Sequence, residues 1–357
     1  MANGSAVIAA VYHAPGDVRV EEMPEPRDPE GSEVVLEVTR AAICGTDASE
    51  FSHAPKFFPI DAAHPFSGHR GPTIMGHEFT GRVVAQGPGS ALEIGDRVVC
   101  GAGVSCGECE WCRRGRTNLC ARYYTLGLHT HGGLARYVST PAALCRAVPG
   151  TCSDDAAAMA QPLAVALHAL RRSGATAGQS LAVIGAGGIG SFLIGAAAAS
   201  GFRQLIAVDI DDARLANARD LGASHGINAT REDAVAAIRA ATGEGADVVL
   251  ECSGAPQSPG SAIAAAKRGG TVLIVGLQAE PTALDLFTAA TREIDIKTTL
   301  AHVCDEDLAA AVAMLDGTDF ARIALAEVIG LSEIVPRGLV PLADGSASGK
   351  LVVDVHA

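Results

Sequence analysis

Residues 180–210 read SLAVIGAGGIGSFLIGAAAASGFRQLIAVDI: an apolar run, a glycine-rich turn, an alanine-rich run and a second apolar run. This order predicts strand, turn, helix and strand, and the turn matches the G-x-G-x-x-G pattern of dinucleotide-binding proteins. An acidic residue ends the second strand about twenty residues after the turn, where such proteins bind a ribose. The candidate nucleotide-binding residues are therefore Gly185, Gly187, Gly188, Ile189, Gly190 and Asp209.

Each part of this pattern has a chemical reason. Glycines let the backbone approach a pyrophosphate, which the N-terminus of the following helix stabilises. Asp209 is predicted to accept hydrogen bonds from both adenosine ribose hydroxyls, whereas a 2′-phosphate would meet its carboxylate, so NAD is predicted rather than NADP. Arg214 either flanks the adenine or faces solvent, and the sequence leaves both open. Ser253 and Gly276, in the strand-like stretches DVVLECSG and TVLIVGL, complete the candidate cofactor-binding residues.

The alternation of strands and helices continues through the second half of the chain. It predicts an α/β fold with a doubly wound parallel sheet covered by helices on both faces. Residues before about 150 instead form short β-rich segments separated by turn residues. A helical pattern, DDAAAMAQPLAVALHALRRSG, follows the cap residues Ser153 and Asp154. We predict a β-rich domain over 1–158, a Rossmann domain over 159–300, and a return to the first domain over 301–357.

The composition limits the class of protein. The chain has 357 residues, 48% of them hydrophobic and 19% charged, which indicates a compact globular protein with two domains. A net charge of −13 argues against nucleic acid and anionic membranes as partners. Because the stretch MANGSAVIAAVYHAPGDV lacks a basic region and its apolar run is short, we expect no secretory leader and a cytoplasmic location.

Four of the ten cysteines lie close together in a lobe over residues 100–122. They form the pattern C-x2-C-x2-C-x7-C, with spacings that allow four thiolates to converge tetrahedrally on one zinc ion. Disulfides would strain such short loops and would not suit a reducing compartment. Four protein ligands also leave no open position for a substrate, so this zinc is predicted to be structural. Its ligands are Cys106, Cys109, Cys112 and Cys120.

Further motifs appear in a characteristic order along the chain: CGTD at 44–47, GHE at 76–78, GDRV at 95–98, QPLAV at 161–165 and ECSG at 251–254. Together with the cysteine lobe and the glycine turn, these motifs resemble the zinc-dependent medium-chain dehydrogenase/reductase family of alcohol and polyol dehydrogenases. The resemblance implies a GroES-like catalytic domain joined to the Rossmann domain. It also implies a catalytic zinc bound by Cys44 and His77, with a further protein ligand and an exchangeable water.

The resemblance assigns roles to two more residues. Thr46 matches the hydroxyl residue that hydrogen-bonds the substrate oxygen, and Asp47 matches the acid that orients the zinc histidine. A three-ligand zinc can accept an alcohol oxygen and lower its pKa while a hydride leaves for the nicotinamide. The expected partner is therefore a small alcohol or ketone. Relatives are dimers or tetramers joined through their nucleotide domains, so a homo-oligomer is predicted.

The sequence departs from the family pattern at two positions. Gln161 replaces a glutamate that lies on or near the catalytic zinc, and a neutral amide is a poorer zinc ligand than a carboxylate. Three ligand sets stay open: Cys44 and His77 with Glu78, with Gln161, or with two waters. The first is predicted, because an anionic oxygen is preferred and polyol and sugar dehydrogenases of the family use this glutamate. Ser49 replaces a histidine that ends a proton relay, and serine is no base near neutral pH.

The connection between the CGTD and GHE motifs is long and contains His53, His64 and His69, which are predicted to be solvated loop residues. Its length and its amino-acid sequence look most like those of the 2,3-butanediol dehydrogenase branch of the family. The predicted function is an NAD-dependent zinc alcohol dehydrogenase acting on a secondary alcohol or vicinal diol. The alternatives are a polyol, sugar, or bulky cyclic or aryl alcohol as substrate, or a weakly catalytic NAD-binding relative.

Overall fold

The computed structural model of the chain describes residues 6–53, 55–202 and 204–357. The chain divides into two compact units, residues 1–164 with 303–357 and residues 165–302. The boundaries expected from the sequence lie after residues 158 and 300. Residues 1–5, which begin the stretch inspected for a secretory leader, lie outside the described residues.

The regular elements of the first unit are mostly short strands: β1 (Ala6–Ala14), β2 (Asp17–Pro24), β3 (Glu33–Ala42), α1 (Gly45–Ser52), β4 (Thr73–Ile74), β5 (Glu78–Gln86), β6 (Arg97–Cys100), β7 (Gly103–Val104), α2 (Glu110–Arg113), β8 (Tyr124–Thr125), β9 (Tyr137–Pro141), β10 (Cys145–Ala147) and α3 (Asp154–Ala157). Helix α4 (Ala160–Ser173) leads into the second unit, where strands and helices alternate: β11 (Ser180–Ile184), α5 (Gly188–Ala198), β12 (Gln204–Asp209), α6 (Asp212–Asp220), β13 (His225–Asn228), α7 (Ala234–Thr242), β14 (Ala246–Glu251), α8 (Ser258–Ala265), β15 (Ala266–Ile274), α9 (Leu286–Thr291) and β16 (Asp295–Thr298). The chain then completes the first unit with α10 (Ala309–Leu315), α11 (Asp319–Ala324), β17 (Leu325–Gly330), α12 (Val340–Ala343) and β18 (Lys350–Asp354).

The main sheet of the first unit brings together strands that are far apart in the sequence. Its order is β10–β6–β5–β3–β18–β17, and β9 also pairs with β3. Strand β3 lies antiparallel to β5 with Ala42 opposite Glu78, and antiparallel to β18 with Ala42 opposite Val352. The end of β3 and the start of β5 therefore lie side by side. In the antiparallel pairing of β3 with β18, residues after Ala42 lie opposite residues before Val352. The first residue of β18 therefore also lies beside the end of β3 and the start of β5.

The second unit contains one parallel sheet with the order β13–β12–β11–β14–β15–β16. The predicted doubly wound Rossmann arrangement is therefore confirmed. Its core consists of small and branched apolar side chains from the strands and helices, such as Ala182, Ile206, Val249 and Val272. The chain reverses its direction of strand addition between β11 and β14, and in open α/β sheets ligands bind at the carboxyl ends of strands beside such a switch point.

The helical pattern over 154–174 is interrupted in the structure. Ser153 caps α3 as predicted, since its hydroxyl accepts a hydrogen bond from the Ala156 N–H. Helix α3 ends at Ala157, and α4 begins at Ala160. The break follows from Pro162, because a continuous helix would need a Pro162 N–H to bond the Ala158 carbonyl, and proline has none.

Candidate active site

The first candidate metal centre lies where β3 and β5 meet. Cys44 follows β3 at the N-terminus of α1, and His77 and Glu78 stand at the start of β5. One donor atom from each of the three side chains lies within 4.8 Å of the other two. The structure thus brings together the thiol, imidazole and carboxylate of the predicted ligand set. This donor set is one that zinc binds, and three protein ligands leave a fourth position open.

The electrostatics of the cluster fit a cation. Burial alone would lower the pKa of His77, but Asp47 and Cys44 together raise this pKa well above its usual value. The Nδ1 atom of His77 lies 3.5 Å from Oδ1 of Asp47, while Oδ2 of Asp47 accepts a hydrogen bond from the Cys44 N–H at 2.9 Å. Asp47 therefore lies where it can orient both ligands, with the Nε2 atom of His77 left for a metal.

Glu78 has a partner that the sequence analysis did not identify. Its carboxylate forms an ion pair through Oε2 with Lys350, the first residue of β18, and both side chains are buried. The other carboxylate oxygen, Oε1, is buried and has no hydrogen-bond partner among the residues that the structure describes. An unpartnered buried carboxylate oxygen is costly unless a donor or a metal satisfies it. The donor set therefore fits a zinc ion.

The remaining predicted catalytic residues lie on α1 and α4. The Thr46 hydroxyl lies 3.7 Å from the Cys44 sulfur. Ser49 is exposed one turn later on α1, and Nδ1 of the exposed His53 donates to its carbonyl oxygen at 3.2 Å. Gln161, the second residue of α4, is half-buried. The roles assigned to Thr46, Ser49 and Gln161 stay predictions.

The second candidate metal centre is the cysteine lobe. The sulfur atoms of Cys106, Cys109, Cys112 and Cys120 all lie within 4.8 Å of one another. The N–H groups of Cys106 and Arg122 donate to the Cys120 sulfur at 3.2 and 3.3 Å. Backbone N–H groups, first that of Ala121, lower the pKa of Cys109 to about 6. Four converging sulfurs that receive backbone hydrogen bonds fit a closed tetrahedral zinc site.

The glycine-rich turn has the geometry of a nucleotide site. A side chain at Gly185 is excluded, because its φ is +95° and a Cβ would lie 2.7 Å from the Ser253 nitrogen. A Cβ at Gly190 would lie 1.8 Å from the Gly185 oxygen, so the helix can pack this close to the strand only with glycine. Gly188, the first residue of α5, faces open space. The preceding Gly187 faces the Arg214 guanidinium. The half-buried Ile189 follows them in the first turn of α5.

Asp209 ends β12 beside this turn. Its Oδ2 accepts from the Ala186 N–H at 2.7 Å, and its Oδ1 accepts from the N–H groups of Ile210 and Asp211. One acceptor position therefore remains, at Oδ2, so in this conformation the carboxylate can take one more hydrogen bond rather than two. Arg214 lies 3.9 Å from Asp209, next to Gly187, and is not directed wholly into solvent.

Ser253 and Gly276 follow the ends of β14 and β15. Both are ordered by Glu251, a buried carboxylate that the sequence analysis did not single out. Its Oε1 accepts from the N–H and hydroxyl of Ser253 and from the Gly254 N–H, and a Cβ at Gly276 would meet its Oε2 at 2.9 Å. The predicted cofactor residues of the second unit thus surround the carboxyl ends of β11, β12, β14 and β15.

Comparison with known protein families agrees with both halves of this description. The family described as alcohol dehydrogenase GroES-like domain matches residues 30–150, and the family described as zinc-binding dehydrogenase matches residues 188–317. Among the described residues, no helix is long and apolar enough to cross a membrane.

Curated relatives and solved structures are similar over most of the chain. Sorbitol dehydrogenase of Bacillus subtilis (strain 168) is 33% identical over 292 residues, which cover 81% of this chain and 80% of that protein. The crystal structure of 2R,3R-butanediol dehydrogenase from Bacillus subtilis is 31% identical with a TM-score of 0.90, covering 98% of this chain and 99% of that one. A zinc-binding dehydrogenase of Sinorhizobium meliloti 1021, bound to NADP, is 27% identical with a TM-score of 0.85, covering 98% and 99%. The chain belongs to the zinc-dependent medium-chain dehydrogenases/reductases, the oxidoreductases whose cofactors are zinc and a nicotinamide dinucleotide.

Proposed function

We propose that the chain is an NAD-dependent zinc alcohol dehydrogenase that reversibly oxidises a secondary alcohol or vicinal diol to a ketone. The observation that carries the proposal is the convergence of Cys44, His77 and Glu78 on one point, with a fourth coordination position left for the substrate oxygen. The names of similar proteins, sorbitol and butanediol dehydrogenase, support a substrate with neighbouring hydroxyl groups. Cys106, Cys109, Cys112 and Cys120 would hold the structural zinc.

Protein side chains have distinct tasks in this reaction. When bound, zinc supplies Lewis acidity that lowers the pKa of an alcohol, and the nicotinamide supplies the hydride acceptor. The Thr46 hydroxyl, next to the Cys44 sulfur, would hydrogen-bond the substrate oxygen and receive its proton. Asp47 would hold the imidazole of His77 in the orientation that the metal needs. Ser49, one turn further along α1, would pass the proton towards solvent.

The preference for NAD follows from the charges around the predicted ribose site. Asp209 is buried at the end of β12, and Asp211 and Asp212 follow it at the start of α6. A 2′-phosphate would lie among these carboxylates, and like charges placed side by side cost several kcal/mol. Arg214 offsets part of this repulsion, because it lies 3.9 Å from Asp209. We therefore propose NAD as the physiological cofactor.

An alcohol panel with both cofactors tests the proposed function. Vicinal diols, secondary monoalcohols, polyols and aryl alcohols are compared by the absorbance of the reduced nicotinamide. We expect diols or secondary alcohols to give the highest kcat/KM, and NAD to exceed NADP by about 100-fold, or ~3 kcal/mol. Comparable kcat/KM values with the two cofactors would exclude the role of Asp209. Absence of turnover with every alcohol, in protein that holds two zinc ions, would favour a weakly catalytic relative.

The proposal includes a homo-oligomer and a cytoplasmic location. Strand β16 is an edge of the parallel sheet, and it exposes Ile296 by 37%. An edge strand offers unpaired backbone groups for strand pairing, so two copies would join their sheets there, with Ile296 as the apolar side chain of the strand. None of the ten cysteines, all of which are among the described residues, forms a disulfide, which suits a reducing compartment.

Changing Ile296 to aspartate is expected to shift the chain from dimer or tetramer towards smaller species, since a buried unpaired charge would oppose strand pairing. Light scattering coupled to size-exclusion chromatography measures the molar mass. Ile94→Asp is the matched control, because Ile94 is 68% exposed in a loop of the first unit. A monomeric wild-type protein, or equal dissociation by both variants, would exclude this interface.

A further inference from the structure

Two pairs of neighbouring imidazoles, one tilted by 41° and one edge-on at 63°, join the long connection over residues 53–72 to the segment 124–131. The rings of His64 and His129 have centroids 4.5 Å apart, and those of His69 and His131 are 4.6 Å apart. The expectation of solvated loop histidines holds for His53, which is exposed. It is wrong for His64 and His69, which are half-buried against the neighbouring segment.

The hydrogen bonds of these rings define where their protons lie. The Nδ1 atom of His129 accepts from the Thr125 N–H at 3.0 Å, and that of His131 accepts from the Ile74 N–H at 3.1 Å. A nitrogen that accepts a hydrogen bond carries no proton, so in each neutral ring the proton is on Nε2. Burial, and then neighbouring histidines, lower the pKa of both rings to about 4. At neutral pH each Nε2–H is therefore an obligate hydrogen-bond donor.

The segment that carries His129 lies beside the residues that lead into the candidate catalytic centre. It runs beside residues 74–76, just before His77, because the Gly133 N–H donates to the Gly76 oxygen at 2.8 Å and the Gly132 N–H donates to the Ile74 oxygen at 2.8 Å. Within the described residues, no hydrogen bond uses the Nε2–H of His129.

The long connection fixes the His129 ring in place. The Phe57 ring meets it edge-on at 5.8 Å, and the Ser67 hydroxyl donates to the His129 carbonyl oxygen at 2.6 Å. Phe57 is in turn held by the buried Glu50, whose carboxylate accepts from the N–H groups of residues 56–58 at 2.9–3.3 Å. The ring contacts of His129 come from Phe57 and His64, so the side chains packed against it are aromatic.

We propose that His129 is a substrate-specificity residue whose Nε2–H donates to the second oxygen of a vicinal diol or hydroxyketone. This inference rests on the proposed function, because it places that oxygen beside the one held at the Cys44, His77 and Glu78 site. A fixed neutral donor in an aromatic surround selects a small uncharged substrate with an acceptor next to the reacting carbon. A monoalcohol has no second oxygen to accept this hydrogen bond. The neutral imidazole also provides no positive charge to bind a phosphorylated or acidic sugar.

The test compares 2,3-butanediol with 2-butanol as substrates of the intact, zinc-loaded protein with NAD. His129→Phe keeps an aromatic ring and removes the donor. We expect it to reduce the ratio of kcat/KM for the diol to kcat/KM for the monoalcohol by about tenfold, as the loss of one hydrogen bond does. His129→Gln keeps a donor at the same distance along the side chain and should keep the ratio within about threefold. The wild-type ratio should be constant from about pH 6 to 9, because a proton on Nε2 is not lost in this range.

His131→Phe is the matched control, since His131 also contacts a histidine of the long connection and its Nδ1 likewise accepts from a backbone N–H. It should leave the ratio unchanged. Equal falls with His129→Phe and His131→Phe, or no fall with either, would overturn the inference and assign these rings to loop stability alone. A wild-type protein that oxidises both alcohols equally well would overturn this inference only. One that oxidises no alcohol would overturn the proposed function as well.

Discussion

Changing Glu78 to alanine is expected to remove one of two zinc ions per chain and nearly all alcohol oxidation. Glu78 supplies the anionic oxygen of the ligand set, and its buried Oε1 has no other partner among the described residues. Loss of a direct ligand should exceed the roughly 10–100-fold loss of metal affinity caused by removing a residue that only orients a ligand. Elemental analysis of zinc and kcat/KM for the best alcohol are the measurements. Gln161→Ala should keep both zinc ions and mainly raise KM.

Lys350 complicates this variant and also offers a control. Removing Glu78 leaves the Lys350 charge buried without its partner, which costs about 3–5 kcal/mol and could unfold the sheet. The double variant Glu78→Ala, Lys350→Met removes that charge and should fold with one zinc per chain. Lys350→Met alone should keep both ions. Zinc lost from Gln161→Ala but retained in the double variant would show that the amide is the ligand.

Changing Cys109 to serine should remove the other zinc ion and lower the thermal stability. After β6 ends at Cys100, the lobe over residues 100–122 has little regular structure: the two-residue β7, the four-residue α2 and a short 3₁₀ turn at Thr117–Leu119. The metal therefore supplies much of what folds it. A loss of about 3 kcal/mol would lower the melting temperature by roughly 6–12 °C in a domain of this size. Zinc analysis and thermal unfolding followed by circular dichroism measure both effects.

Cys304→Ser is the control for this substitution, because Cys304 is a half-buried thiol outside the lobe. It should keep both zinc ions and melt close to the wild type. If Cys109→Ser instead kept its zinc and its stability but lost alcohol oxidation, the structural and catalytic roles of the two centres would have to be exchanged.

The parts of the fold predicted from the sequence are those set by local patterns. Alternating strands and helices determine a parallel sheet, and the glycine-rich turn of residues 185–190 identifies its central strand, β11. The helical pattern over 154–174 forms two helices, α3 and α4, and the cause of the break is also local. Pro162 has no N–H group to bond the Ala158 carbonyl, which breaks the helical hydrogen-bond pattern. The periodicity of apolar residues gives no indication of such a missing donor.

The candidate site was predictable where its residues belong to short motifs. Cys44, His77 and the lobe cysteines are of this kind. The structure groups the four lobe cysteines as their spacing suggested, and brings Cys44 and His77 together as the family resemblance implied. Lys350 and His129 were not found, because their roles depend on strand pairing and loop packing between segments distant in sequence. The signals were present but weak: a lysine at the start of the apolar run KLVVDV, and two histidines beside a glycine pair in HTHGG.

The position of β18 has a consequence for how the molecule is made. This strand, residues 350–354, lies between β3 and β17 in the interior of the main sheet, and it carries the lysine that pairs with Glu78. A chain leaving the ribosome has already completed the whole of residues 165–302, a contiguous unit, before this strand emerges. The contacts of β18 with β3 span more than 300 residues, and long-range pairings of this kind form slowly. The nucleotide fold can therefore mature during synthesis, whereas the catalytic metal centre gains Lys350 as a neighbour only after residues 350–354 have been synthesised.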